Sequence, residues 1–377
     1  MSKDIKMIHL ASHMHHILFE QQIMIGGFYN WHLVFQQPNN FVSYTSPDVY
    51  NRIMDNEFNT ILFGISRPEM VADTIPRVNA LVQELKKSPD EIINQITRDI
   101  PLMLEERKSK DPNIKIVAHV DYGVQLWHSP MLKEFFGPHP LARILNNVDV
   151  IFTAEPVMGE WIHALTGRPV YHIPHPTNVM ALKQLQDNLE DKYNHKNMKE
   201  NSVRCLIHRY DNNWIAPFIV CETTINKKDP DSPMVVYIAM DGSQQFVTEL
   251  RSMGCEFVEM GSPHQAWLEK LSRTRVMVDS YHSISTYGRS PVECACMKTP
   301  IVGSDITYLQ PILFPEITTK PHGVLEQKKM LNRLLKDKTF YDDTVNYAYD
   351  KVEMVNYDNS RKQFEMMMEG KLEPRWK

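Results

Sequence analysis

Apolar residues in this chain fall into short runs of four to seven, separated by stretches of helical length in which apolar positions recur at helical spacing. Five runs occupy the first half, at residues 6–11, 59–65, 114–120, 148–154 and 169–174. Five more follow at 203–208, 234–240, 255–260, 276–280 and 300–305. Runs that are rich in Val and Ile and apolar along their whole length describe parallel strands covered on both faces. The pattern therefore predicts an α/β chain with two doubly wound sheets of about five strands each. Between the two series, residues 181–202 are polar, densely charged and free of glycine, which predicts a surface helix and the interdomain connection. An N-terminal domain is expected over 1–180 and a C-terminal one over 200–345, with helices at about 345–377 packing back on the first. Sheets of this kind bind ligands where strand C-termini face a crevice, so a central cleft between the two domains is the expected site.

Composition adds exclusions. The 377 residues are 42% hydrophobic and 23% charged, enough apolar material to bury two cores and far from the signature of disorder. Lys and Arg number 41 against 46 Asp and Glu, so the chain lacks the basic excess on which binding to a phosphate backbone draws. The five cysteines, Cys205, Cys221, Cys255, Cys294 and Cys296, are odd in number and form no C-x-x-C pair, which suggests neither a disulfide framework nor a zinc ribbon. With no signal-like N-terminus and no apolar run of 18 residues, the chain reads as soluble and cytoplasmic. Glycine is scarce, at 14, so each one marks a place worth explaining.

The densest chemistry lies in residues 255–306: a strand running to Met260 and Gly261, a helix, a strand from Val276 to Ser280, the pair Tyr287–Gly288, a helix carrying Glu293, and the strand entry Thr299-Pro300-Ile301-Val302. A loop ending in glycine at the start of a helix presents unpaired N–H groups and the positive end of a helix dipole, which suits a diphosphate. A carboxylate in the first two turns can accept both hydroxyls of a ribose.

In order and spacing this segment resembles the nucleotide-sugar-binding half of the GT-B glycosyltransferases, in particular the retaining family 4 group. The resemblance implies two Rossmann-like domains and transfer of a sugar from a nucleotide-diphosphate sugar, a UDP-sugar foremost, to an acceptor hydroxyl with retention of anomeric configuration. It implies no cofactor and no metal, the nucleotide sugar being a co-substrate. Glu293 takes the ribose role. The family carries a second Glu eight residues earlier, where this chain has Ser285. Arg209 matches the family's phosphate-neutralising Arg after the first strand of the second domain, but the Lys that often follows is missing. Lys270, Arg273, Arg275 and Arg289 are candidate replacements, and Arg289, directly after Gly288, is the best placed.

Candidates in the first domain are more diffuse. His119 and Asp121 close a central strand, where polar residues face a ligand or acceptor; an alternative for His119 is a satisfied core histidine. Gly26 and Gly27 follow the first strand and offer close backbone approach to a diphosphate. His13, His15 and His16 lack an acidic partner at ligand spacing and read as a loop rather than a metal site. The segment around 114–128 and 148–156 also resembles the matching part of bacteriophage DNA α-glucosyltransferases, so a hydroxymethylated base stays open as an alternative acceptor beside a glycan or small molecule. Ser285 and the missing Lys keep open a non-catalytic sugar-nucleotide-binding relative, and the fold a sugar-nucleotide epimerase.

Overall fold

The computed structural model describes residues 5–11, 31–37, 40–43, 48–65, 101–120, 145–194, 198–207, 215–239, 244–259, 264–279 and 287–377. The chain divides into two compact units. The first holds the described residues up to Thr177 together with Tyr357–Lys377, and the second holds Asn178–Asn356.

The first unit is built on β1 (Met7–Ala11), β2 (Phe41–Ser43), β3 (Thr60–Ile65), β4 (Lys115–Val120), β5 (Val150–Thr153) and β6 (Val170–His172), in the order β2-β1-β3-β4-β5-β6. Every strand pair is parallel. Alternate residues serve opposite faces. Ile8, Leu10, Ile61, Phe63, Ile116, Ala118 and Ile151 point into one core with Met158 and Ile162. Met7, Leu62, Val117 and Phe152 point into the other, which is closed by Trp31, Phe35, Phe364 and Met367. The Tyr357–Met368 helix thus covers one face of this sheet.

The second unit contains β7 (Ser202–Ile207), β8 (Met234–Ala239), β9 (Glu256–Glu259), β10 (Val276–Asp279), β11 (Ile301–Ser304) and β12 (Thr318–Thr319), in the order β12-β11-β10-β7-β8-β9. All pairs are again parallel. Counted from its own first strand, this is the 3-2-1-4-5-6 order of a doubly wound dinucleotide-type sheet, and its direction of winding reverses between β7 and β10.

Each sheet has six strands among the described residues, against the expectation of about five. The additional strands, β2 and β12, are three and two residues long and, unlike the three-residue β6 in the 169–174 run, lie in no extended apolar run. The Val179–Lys192 helix, expected on the surface, buries Val179, Leu182, Leu185 and Leu189 along one stripe. Its charged residues mask that stripe when read by composition alone.

The end of the chain clips onto the first sheet. Val170 in β6 and Trp376 exchange backbone hydrogen bonds as an antiparallel bridge, and the Trp376 ring lies over Gly159 in the Pro156–Thr166 helix. A Cβ at position 159 would overlap that ring. Gly159→Ala is therefore expected to destabilise the protein by about 1–3 kcal/mol through overpacking. In a Trp376→Ala background the same change should instead stabilise it by about 1 kcal/mol, the ordinary helical advantage of Ala over Gly. Urea unfolding of the four proteins of this cycle measures the reversal of sign.

Candidate functional site

The reversal of the second sheet sets the place. Ligands of doubly wound sheets collect beyond strand C-termini where the strand order reverses. β7 and β10 are neighbours here, paired from Val203–Val276 to Leu206–Asp279. The chain leaving β10 reaches Tyr287 and Gly288 and then forms the Arg289–Cys296 helix.

Gly288 caps that helix with φ +101°, a left-handed conformation that side-chain-bearing residues rarely adopt. Space enforces the same choice, because a Cβ there would lie 2.7 Å from the Thr307 methyl carbon and 3.3 Å from the Leu309 Cβ. Tyr287 is buried, and its carbonyl accepts a hydrogen bond from Leu309 N–H at 3.1 Å. The segment after β11 therefore fixes the start of the helix. Gly288 provides no side-chain cap for the helix N-terminus.

Glu293 lies one turn inside the helix and is only 4% exposed. A buried carboxylate must be paired, and three donors meet it. Trp267 Nε1–H donates to Oε2 at 2.8 Å, while Arg289 Nε–H donates to Oε1 at 2.6 Å. His264 Nε2 lies 3.0 Å from the same Oε1. It is also 3.1 Å from Arg289 Nη2, so that nitrogen can donate to Glu293 or accept from Arg289, one at a time. Burial alone would raise the Glu293 pKa, but the charges of Arg289 and His264 and the hydrogen bonds from His264 and Trp267 outweigh it and bring it down to about 2.

His264 and Trp267 stand one turn apart on the His264–Arg273 helix, as Arg289 and Glu293 do on theirs, so two helix faces build the cluster. Trp267 is 3% exposed, whereas the Arg289 side chain is half exposed.

Among the expected site residues, the structure brings together Tyr287, Gly288, Arg289 and Glu293. No motif in the sequence marks His264 and Trp267. Their i, i+3 spacing after Gly261 was visible, but their meeting with Glu293 depends on how two helices pack. Of the other candidate cations, Arg273 pairs with Glu200 at 2.9 Å and lies over the Tyr193 ring, and Arg275 donates to Asn201 and to the Leu335 carbonyl. Both tie structural segments together, while Arg289 stands directly beside Gly288. Gly26, Gly27, Asp121, Arg209, Gly261 and Ser285 lie outside the described residues.

In the first unit His119 sits in β4 and is wholly buried. Its ring stacks on Phe152 at 4.4 Å and meets Trp31 and His175 edge-on at 6.1 and 5.2 Å. Burial, reinforced by His175 and His9, pushes its pKa well below the ordinary histidine value. The ring belongs to an aromatic cluster. Cys294 and Cys296 are buried, and burial pushes both thiols up. No group of three or more His, Cys, Asp or Glu residues suited to a metal occurs among the described residues, and no described helix is long and apolar enough to cross a membrane.

No protein-family model matches the chain, and no curated protein does. Solved structures do match it in fold. HepE of Anabaena in complex with UDP superimposes with a TM-score of 0.58 at 12% identity, over 97% of this chain and 100% of that one. The N-terminal domain of Candida albicans trehalose-6-phosphate phosphatase gives 0.62 at 10% identity, over 97% and 96%. A UDP-forming α,α-trehalose-phosphate synthase from Burkholderia xenovorans gives 0.55 at 10% identity, over 93% and 84%. The chain has the GT-B fold, with two Rossmann-like α/β units.

The depressed Glu293 pKa sets a pH dependence. A carboxylate whose folded pKa lies below its unfolded value of about 4.5 contributes stability that is complete above 4.5 and is lost as pH falls toward 2. Glu293→Gln should destabilise the protein by about 1–3 kcal/mol at pH 7. Its deficit relative to the parent should narrow by on the order of 2 kcal/mol between pH 5 and pH 3. Urea midpoints at the three pH values test this; a deficit independent of pH would mean that the carboxylate charge is not what the cluster holds.

Proposed function

We propose that this chain is a glycosyltransferase that moves a sugar from a UDP-sugar to an acceptor hydroxyl with retention of anomeric configuration. The observation that carries the proposal is a buried, ionised Glu293 one turn into a helix opened by a left-handed glycine, at the reversal of a doubly wound sheet. A nucleoside diphosphate needs this pairing: N–H groups and a helix dipole for the diphosphate, and a carboxylate for the ribose diol a turn away. The GT-B fold supports it, and so do structural neighbours that bind UDP or UDP-glucose or are UDP-forming synthases.

In this reading the principal catalytic work is electrostatic. As the bond between the anomeric carbon and the β-phosphate oxygen breaks, negative charge grows on the diphosphate, and the Gly288 helix terminus, Arg289 and Arg209 stabilise it. The positive charge comes from side chains, so the proposal requires no metal. The departing phosphate oxygen accepts the proton of the acceptor hydroxyl on the face it leaves, so the configuration is retained. Gly26, Gly27 and Gly261 supply backbone approach to the donor, and Ser285 bonds the sugar where the family has a carboxylate. His119 is too deeply buried to reach solvent, so the part of positioning sugar or acceptor at the end of β4 falls to Asp121.

Thermal shift and single-turnover assays with a panel of UDP- and GDP-sugars test the reading. UDP should raise the unfolding temperature by mass action, and a UDP-sugar should release UDP as its sugar moves to an acceptor with unchanged anomeric configuration. Glu293→Ala should weaken UDP binding by roughly 10-fold to 100-fold, as expected for loss of charge-assisted hydrogen bonds to a diol. An altered sugar nucleotide without release of UDP would identify an epimerase, and binding without turnover a non-catalytic relative.

A further inference from the structure

Glu293 is more fully occupied than a ribose-binding carboxylate can be while it works. A ribose diol bound in bidentate fashion needs lone pairs on both oxygens. Oε2 accepts from within from Trp267, which is buried, and keeps a further lone pair. Oε1 is covered by Arg289 at 2.6 Å and approached by His264 at 3.0 Å. Arg289 is the most exposed member of the cluster and the first residue of the helix after Gly288. It can reach Glu293 or a group at the helix N-terminus, and one guanidinium does not satisfy both in full.

Resting on the nucleotide reading of this site, we infer that Arg289 is an exchangeable latch: it covers Glu293 in the empty protein, and the diphosphate of an arriving nucleotide draws it off and opens the carboxylate to the ribose. A diphosphate carries more negative charge than one carboxylate and offers oxygens in the geometry a guanidinium prefers, so the exchange favours the ligand. His264 supports the open state. Once Arg289 leaves, His264 Nε2 no longer has to choose between partners and donates to Oε1, so the buried carboxylate never stands without a donor. Trp267 holds Oε2 throughout and keeps the carboxylate plane in place. The latch couples the two halves of recognition: a nucleoside alone must displace Arg289 at its own cost, whereas a nucleoside diphosphate brings the group that removes it.

The test compares UDP with uridine on the parent protein, Arg289→Ala and Arg289→Lys, with UDP affinity measured by calorimetry and uridine affinity by competition or direct titration. Arg289→Ala should weaken UDP binding by roughly 10-fold, the worth of one charge-assisted phosphate contact, while tightening uridine binding by about 3-fold because the carboxylate is uncovered. Arg289→Lys, which keeps the charge but lacks the Nε–H fork, should fall between the two. Opposite signs for the two ligands are the signature, since a merely structural role would weaken both. If the parent binds UDP and Arg289→Ala shifts both ligands in one direction or neither, the latch is overturned and the nucleotide site stands. If the parent does not bind UDP, the nucleotide reading itself falls, and the latch with it.

Discussion

A parallel sheet must be covered on both faces, because its strands bury side chains above and below and its crossover connections have to run somewhere. Much else in this chain follows from that constraint. It explains why the strands read as unbroken apolar runs, and why β4 buries Ile116 and Ala118 on one side and Val117 and His119 on the other. It also explains the return of the chain end to the first unit. There, Phe364 packs on Trp31 and Phe152, with ring centroids 5.2 and 5.8 Å away, and completes a layer that the short Trp31–Val34 helix cannot close alone. Trp376 then settles over Gly159 on the opposite core, so the last twenty-one residues serve both sides of one sheet.

The candidate site obeys a second constraint, set against the first. A helix packed on a sheet has an inner face that should be apolar, yet the Arg289–Cys296 helix carries Glu293 on a buried position. Such a charge survives only with donors in place. Three surround it, one rigid, one of ambiguous hydrogen-bonding direction and one half exposed. A more stable arrangement would surround the carboxylate with fixed donors, and a more open one would leave it costly in the empty protein. What is found lies between, with Arg289 completing the shell from the solvent side. The most exposed donor of the shell is thus the first residue of the helix that carries the carboxylate.

How much of this was legible in the sequence depends on how local the cause is. The other ten strands announced themselves through apolar runs, whereas β2 and β12 owe their pairing to neighbouring strands. Gly288, Arg289 and Glu293 could be read together because they share one turn of helix and its approach. Trp267 and His264 could not, since nothing in residues 264–267 alone says which partner helix they will face. His119 shows the converse limit. Its place at the end of a strand was correct, but whether the ring turns toward a ligand or into an aromatic cluster is decided by Phe152, Trp31 and His175, from three distant segments.

The two sheets are wound differently, and the difference bears on the absent lysine. In the first unit the winding reverses between β1 and β3, and in the second between β7 and β10. The strands on either side of the second reversal are those that lead to Arg209 and to Gly288. Their parallel pairing sets their C-terminal ends side by side. In the proposed reading the two phosphate-neutralising cations need not both come from the β7 side. There Arg289, entering from the β10 side, takes the second position, and its Nε–H already donates to Glu293 at 2.6 Å.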